Sequence, residues 1–262
     1  MEDLVRRWTL VAVLGLMAWA GCTAVLWAGH GLPLAVQWGA PSGVVLGLFL
    51  VTVRMSLHLN RRARERELFR TFGGANLLTL SRGGATAALA GFLLPAHPDV
   101  PLLWLAPGLF LFVALGDILD GHWARASGRE TLLGKRLDGM VDALVILVGV
   151  AVAVQWGRLP PWFLAVGLAP YLFGLALDLR RRMGKPSHPL PHRLSRRLVG
   201  AVVYGFVAVS LSPFLSRELL SWAAVPVALA VLASFWADWR ALTWRGLGGD
   251  AASDLGKREF PH

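Results

Sequence analysis

The chain has 262 residues, is 55% hydrophobic and only 16% charged, and carries 12 Trp and a net charge of +10. This composition, with a positive mean hydropathy, belongs to an integral membrane protein and excludes an ordinary soluble enzyme. The single cysteine, Cys22, excludes an intramolecular disulfide, and no module for nucleic-acid recognition accompanies the positive charge.

The first apolar run, residues 8–28, has spanning length. It exceeds the apolar core of a signal peptide and lacks a small-residue cleavage site after it, so it reads as a retained span. A second run covers 36–53 and contains Pro41, which a membrane helix tolerates. Between 54 and 72 the character changes: Arg54, Arg61, Arg62, Arg64, Arg66 and Arg70 alternate with Leu57, Leu59, Leu68 and Phe69. That pattern predicts an interfacial amphipathic helix, with a plain basic loop as the alternative. The third span runs from Asn76 to Pro95 and opens Asn76-Leu-Leu-Thr79-Leu-Ser-Arg82, three polar residues placed to share a face. Span four covers 101–120 and span five runs from Asp138 to Trp156. Span six opens at Pro160 and Pro161 and ends near Asp178, and a basic stretch follows from Arg180 to Arg197. Spans seven (198–215) and eight (219–237) precede a polar tail.

The chemistry concentrates in residues 117–142. Asp117 and Asp120 are three apart at the end of span four; Asp138 and Asp142 are four apart at the start of span five. On helices each pair shares a face. A turn through the intervening segment would bring the two acidic faces together at one membrane depth. A carboxylate within an apolar span costs roughly 2.5–3.5 kcal/mol, and four of them repel unless cations neutralise them. An all-oxygen donor set suits hard divalent ions, Mg²⁺ first, with Mn²⁺ or Ca²⁺ behind it. The plainer alternative, helix-end charges facing water, fits one aspartate better than four at this spacing.

The pattern D-x2-D-G-x2-A-R-x8-G-x3-D-x3-D, carried by Asp117, Asp120, Gly121, Ala124, Arg125, Gly134, Asp138 and Asp142, resembles the signature of the CDP-alcohol phosphotransferase family, membrane enzymes of phospholipid synthesis. The Asn76, Thr79 and Arg82 pattern is similar to the start of that family's first core helix, with Ala75 where members often carry proline. The resemblance implies an all-α membrane protein with a six-helix core. Here that core would occupy residues 58–240, with two extra spans in 1–57, the amphipathic segment at its start and a tail at 241–262. It implies transfer of a phosphoalcohol group, often phosphatidyl from CDP-diacylglycerol, to an acceptor hydroxyl with release of CMP, and a homodimer. It implies two Mg²⁺ or Mn²⁺ ions on Asp117, Asp120 and Asp138, with Asp142 contributing, and makes Asp142 the candidate base. Asp117, Gly121, Ala124, Arg125, Gly134, Asn76 and Thr79 would attend the donor, with Gly134 holding the helices of the acidic hairpin close. Apart from the resemblance, the basic 180–197 stretch has two readings: Arg193, Arg196 and Arg197 meeting a phosphorylated acceptor, or an ordinary positive-inside loop.

Charge orients the eight spans. Of the 26 Lys and Arg residues, all but Arg82, within a span, and Arg158 and Arg217 fall in alternate segments on one side. The positive-inside rule makes that side cytoplasmic, with both termini and the acidic hairpin. Two other functions use the same aspartates: a metal-dependent lipid-pyrophosphate phosphohydrolase, and a cation transporter with intramembrane carboxylates.

Overall fold

The computed structural model describes residues 1–62, 67–95, 104–127, 130–184 and 194–244, leaving the side chains of 120–127, 194–197 and 244 aside. Among these residues it forms eight α-helices and no strand. They are α1 (Glu2–His30), α2 (Leu32–Ser56), α3 (Gly74–Ala90), α4 (Leu105–Ser127), α5 (Leu132–Gln155), α6 (Leu164–Arg182), α7 (Leu194–Leu211) and α8 (Arg217–Trp244). Five stretches, Glu2–His30, Leu32–Leu59, Leu132–Gln155, Pro161–Arg182 and Arg217–Thr243, are long and apolar enough to cross a membrane. Leu105–Leu119 and Leu198–Leu211 are shorter apolar helices. The protein is a multi-pass membrane protein.

One glycine separates α1 from α2. Gly31 adopts φ 84°, a conformation that a side chain would strain, and Pro33 follows in the first turn of α2. The two helices then run back along each other. Trp8 donates its indole N–H to the Leu50 carbonyl (3.0 Å), and Trp19 donates to the Gly39 carbonyl and Ser42 Oγ (both 3.1 Å). Small residues make room for these rings: a Cβ on Gly43 would stand 2.9 Å from the Trp19 ring. These two tryptophans are helix-to-helix ties rather than interfacial anchors.

α2 in turn lies against α3. A Cβ on Gly83 would run into the Phe49 ring, and one on Gly91 into the Trp38 ring. On its other side α3 packs on α4 and α5. α5 is the valine-rich centre, with Val141, Val145, Val150 and Val152 fully buried, and α6 and α7 close around it. At the far end, Arg158 fastens the α5–α6 connection to the α7–α8 connection, donating to the carbonyls of Ser210 (3.2 Å), Ser212 (2.6 Å) and Leu215 (2.7 Å).

Two expectations change. The amphipathic helix expected over 54–72 is absent from its described part: α2 runs on to Ser56, a 3₁₀ turn covers Leu57–Leu59, and 60–62 and 67–73 are not helical. The cause is Asn60. Its backbone carbonyl accepts from Phe69 N–H (2.8 Å), and its side-chain amide donates to the carbonyls of Phe69 (3.0 Å) and Thr71 (3.2 Å). These bonds close a loop and take the groups a helix would use. At the other end, α8 continues through Trp244, so the polar tail begins later than residue 241.

Filling the Gly83 notch tests the α2–α3 seam. Gly83→Val should destabilise the protein by about 1–3 kcal/mol through overpacking against Phe49. Gly84→Ala, facing open space, should not. Thermal unfolding in detergent compares the two.

Candidate metal centre

The site is assembled from three helices. α4 contributes Asp117, and α5 contributes Asp138 and Asp142, one turn apart. One carboxylate oxygen from each lies within 4.8 Å of the others. Their side chains are 40%, 40% and 33% exposed, so the cluster opens on one side.

The closed side is Arg82 of α3, which is fully buried. Its Nη1 donates to Asp138 Oδ1 (2.7 Å); its Nη2 donates to Asp142 Oδ1 (2.6 Å) and Asp117 Oδ1 (3.1 Å). Its Nε donates to the Val113 carbonyl of α4 (3.0 Å). The aliphatic stem lies across Gly116, where a Cβ would stand 2.9 Å from both Cγ and Cδ. A buried guanidinium without anionic partners would cost several kcal/mol. Here one guanidinium meets three carboxylates from two helices, and the assembly retains net negative charge. From α7, the Tyr204 hydroxyl donates to Asp142 Oδ1 (3.2 Å), and its ring packs on Phe110 of α4 (centroids 5.7 Å apart).

Half-open, oxygen-only and excess in negative charge, this donor set fits a hard divalent cation. Asp117, Asp138 and Asp142 are the residues that would hold it.

A second polar cluster lies beside the first. Asn76, expected to attend the donor, is buried at 4% exposure. Its amide nitrogen donates to Asn60 Oδ1 (3.2 Å) and Thr131 Oγ1 (3.3 Å), and its carbonyl oxygen accepts from Thr131 Oγ1 (3.4 Å). Thr131 also caps α5, accepting from Gly134 N–H at 2.9 Å. Leu132 N–H donates to the Arg61 carbonyl (2.9 Å), so the segment after α2 is stitched to the start of α5. Asn76 thus clamps the start of α3 to the cap of α5, on the same helix as Arg82 and six residues before it. Thr79 is buried as well, its hydroxyl donating to the Ala75 carbonyl (3.0 Å). Gly134 is a point of close approach, but to α3: its Cβ would stand 2.6 Å from Asn76 Oδ1.

Asp120, Gly121, Ala124 and Arg125 lie on the last turns of α4, with side chains outside the description. Arg196 and Arg197 have the same standing on the first turn of α7, and Arg193 lies outside the described residues. Two participants escape a reading of the sequence. Arg82 stands in the family-like opening of α3, but nothing in its spacing assigns it to the carboxylates. Tyr204, one of only two tyrosines, offered one signal: a hydroxyl in the middle of an apolar run.

With this geometry in view, comparison with known proteins is decisive. A family model described as CDP-alcohol phosphatidyltransferase matches residues 72–237. The chain belongs to that family. The match starts after α2 and takes in α3 to α7 and most of α8, leaving the α1–α2 hairpin outside it. A CDP-diacylglycerol–glycerol-3-phosphate 3-phosphatidyltransferase of Cereibacter sphaeroides is 28% identical over 89 residues, 34% of this chain and 40% of that protein. One of the same name from Bacillus subtilis is 32% identical over 69 residues, 26% of this chain and 36% of that protein. The matched part thus spans about two fifths of these relatives. No solved structure matches the chain.

The Asn76 clamp makes a prediction about coupling. Gly134→Ala should cost about 1–3 kcal/mol by pressing on the amide. Adding Asn76→Ala, which removes the obstructed group, should cost less than the sum of the two single changes. A double-mutant cycle on thermal stability reads this directly.

Proposed function

We propose that this protein transfers a phosphatidyl group from CDP-diacylglycerol to a phosphorylated polyol, glycerol 3-phosphate first, and releases CMP. The observation that carries the reading is the convergence of Asp117, Asp138 and Asp142, one ligand oxygen from each within 4.8 Å of the others, at a half-open mouth in a chain of this family. The choice of acceptor is supported by the names of the relatives and by the basic stretch from Arg180 to Arg197.

In this reading Asp117, Asp120 and Asp138 hold two Mg²⁺ or Mn²⁺ ions, with Asp142 contributing. The ions supply neutralisation of the donor pyrophosphate and of the charge that develops as it divides. The acceptor hydroxyl oxygen bonds to the phosphorus bearing the diacylglycerol, and the bond from that phosphorus to the bridging oxygen breaks. CMP leaves with the bridging oxygen. The hydroxyl proton passes to the Asp142 carboxylate, which the Tyr204 hydroxyl holds in place. Arg125 attends the donor phosphates, Gly121 and Ala124 leave space for the cytidine, and Arg193, Arg196 and Arg197 bind the acceptor phosphate.

The test uses purified protein in detergent with labelled CDP-diacylglycerol, Mg²⁺ or Mn²⁺, and glycerol 3-phosphate, inositol 1-phosphate, inositol or serine. CMP release should require both metal and glycerol 3-phosphate, vanish with a chelator, and fall to background in Asp138→Ala. Asp142→Asn should lower turnover by about 10²–10⁴-fold, the usual contribution of a positioned base. CMP release with water alone would replace the transferase by a hydrolase. Release with another acceptor would keep the transferase and change its product.

The same reading places the protein in the cell membrane with both termini and the carboxylate mouth cytoplasmic, on the strength of the basic segments. In a Cys22→Ser background, Ser216→Cys should react with an impermeant maleimide in intact cells, and Glu130→Cys only after permeabilisation. The reverse labelling would invert the topology.

A further inference from the structure

We infer that Arg82 is the positioning residue of the metal centre: from the protein interior it pins one oxygen of each ligand, Asp117, Asp138 and Asp142, and leaves the remainder of each carboxylate to a divalent ion at the open side. The inference rests on the proposed reading of the cluster as a metal site, and goes beyond it by assigning what sets the ligand geometry.

Four observations carry it. The guanidinium is fully buried, whereas each carboxylate is 33–40% exposed, so Arg82 closes the cluster from within. Among the described residues, the ion pairs of Arg82 with Asp117, Asp138 and Asp142 all use the Oδ1 atom of the aspartate. Arg82 thus engages one oxygen of each of these ligands and makes no hydrogen bond to the other. The guanidinium is itself fixed, since its Nε is held by the Val113 carbonyl and its stem lies in the notch at Gly116. Finally, α4 supplies Val113, Gly116 and Asp117 within five residues, so the helix carrying one ligand also carries the seat of the residue that orients it.

Charge alone does not account for this arrangement. Three carboxylates and one guanidinium retain enough negative charge for a divalent ion. A lysine at 82 would supply the same positive charge, but not a planar fork reaching three acceptors and a backbone carbonyl together. Gly116 separates geometry from charge, because a methyl group there displaces the arginine stem without altering any ionised group.

The measurement is Mn²⁺ binding to the full-length protein in detergent, followed by electron paramagnetic resonance, on the wild type, Arg82→Lys, Gly116→Ala and Gly108→Ala. Size-exclusion profile and circular dichroism establish that each variant is folded. Partners that orient metal ligands typically contribute 10–100-fold in affinity. Arg82→Lys should therefore raise the Mn²⁺ Kd by about tenfold or more. Gly116→Ala should raise it by a smaller factor, with turnover restored at saturating Mn²⁺. Gly108→Ala, on the same helix but facing open space, should leave it unchanged. If Arg82→Lys does not fold, Gly116→Ala decides. An unchanged Kd in the folded variants would overturn the inference. A lowered Kd would also overturn it, by showing that the guanidinium competes with the ion for the carboxylates. Absence of Mn²⁺ binding by the wild type would overturn the metal reading and this inference with it. Wild-type binding that persists unaltered in the variants overturns this inference alone.

Discussion

A buried guanidinium facing three carboxylates is the interaction on which the rest of this structure depends. The guanidinium is not tolerable alone in an apolar bundle, because it would carry an uncompensated charge away from water, and the three half-exposed carboxylates would repel one another without it. Together they fix how three helices meet: α3 must present Arg82 to α4 and α5 at the depth where Asp117, Asp138 and Asp142 sit. The ion pairs, at 2.6–3.1 Å, hold that register.

The surrounding packing serves that register. Gly116 lets the arginine stem cross α4, and Gly134 lets the start of α5 come against Asn76 of α3. Asn60, Asn76 and Thr131 then join the segment after α2, the start of α3 and the cap of α5 into one hydrogen-bonded knot. Each contact is small, but together they determine where the α4 and α5 carboxylates stand relative to one another. The arrangement resembles other metal centres in one respect: groups that never touch the ion decide where its ligands point.

How much of this a sequence discloses follows from the range of each interaction. The helices are legible because apolar length is a local property. So is the pairing of Asp138 with Asp142, since four residues make one helical turn. That Asp117 joins them was expected from a turn between two acidic faces, and the structure brings the three together. The part played by Arg82 was not legible, because spacing relates it only to Asn76 and Thr79 on its own helix. What it meets is decided by α4 and α5, 31 or more residues away. Gly116 and Gly134 were open to misreading for the same reason: a glycine announces a close approach without naming the approaching group. The 54–72 segment failed differently. Its alternation of arginine and leucine has helical character, but a single asparagine offers the backbone a competing set of hydrogen bonds and closes a loop.

The glycine notches at 83 and 91 have a consequence for how the bilayer reaches the site. Because Phe49 and Trp38 fill them, that side of α3 touches protein rather than acyl chains. α1, with only 6% of its apolar window buried, and the exposed face of α2 (Val44, Leu48, Val51) present apolar surface on this flank. The α1–α2 hairpin, tied together by Trp8 and Trp19 and outside the matched family region, therefore stands between part of the acyl chains and the flank of α3 that carries Gly83 and Gly91.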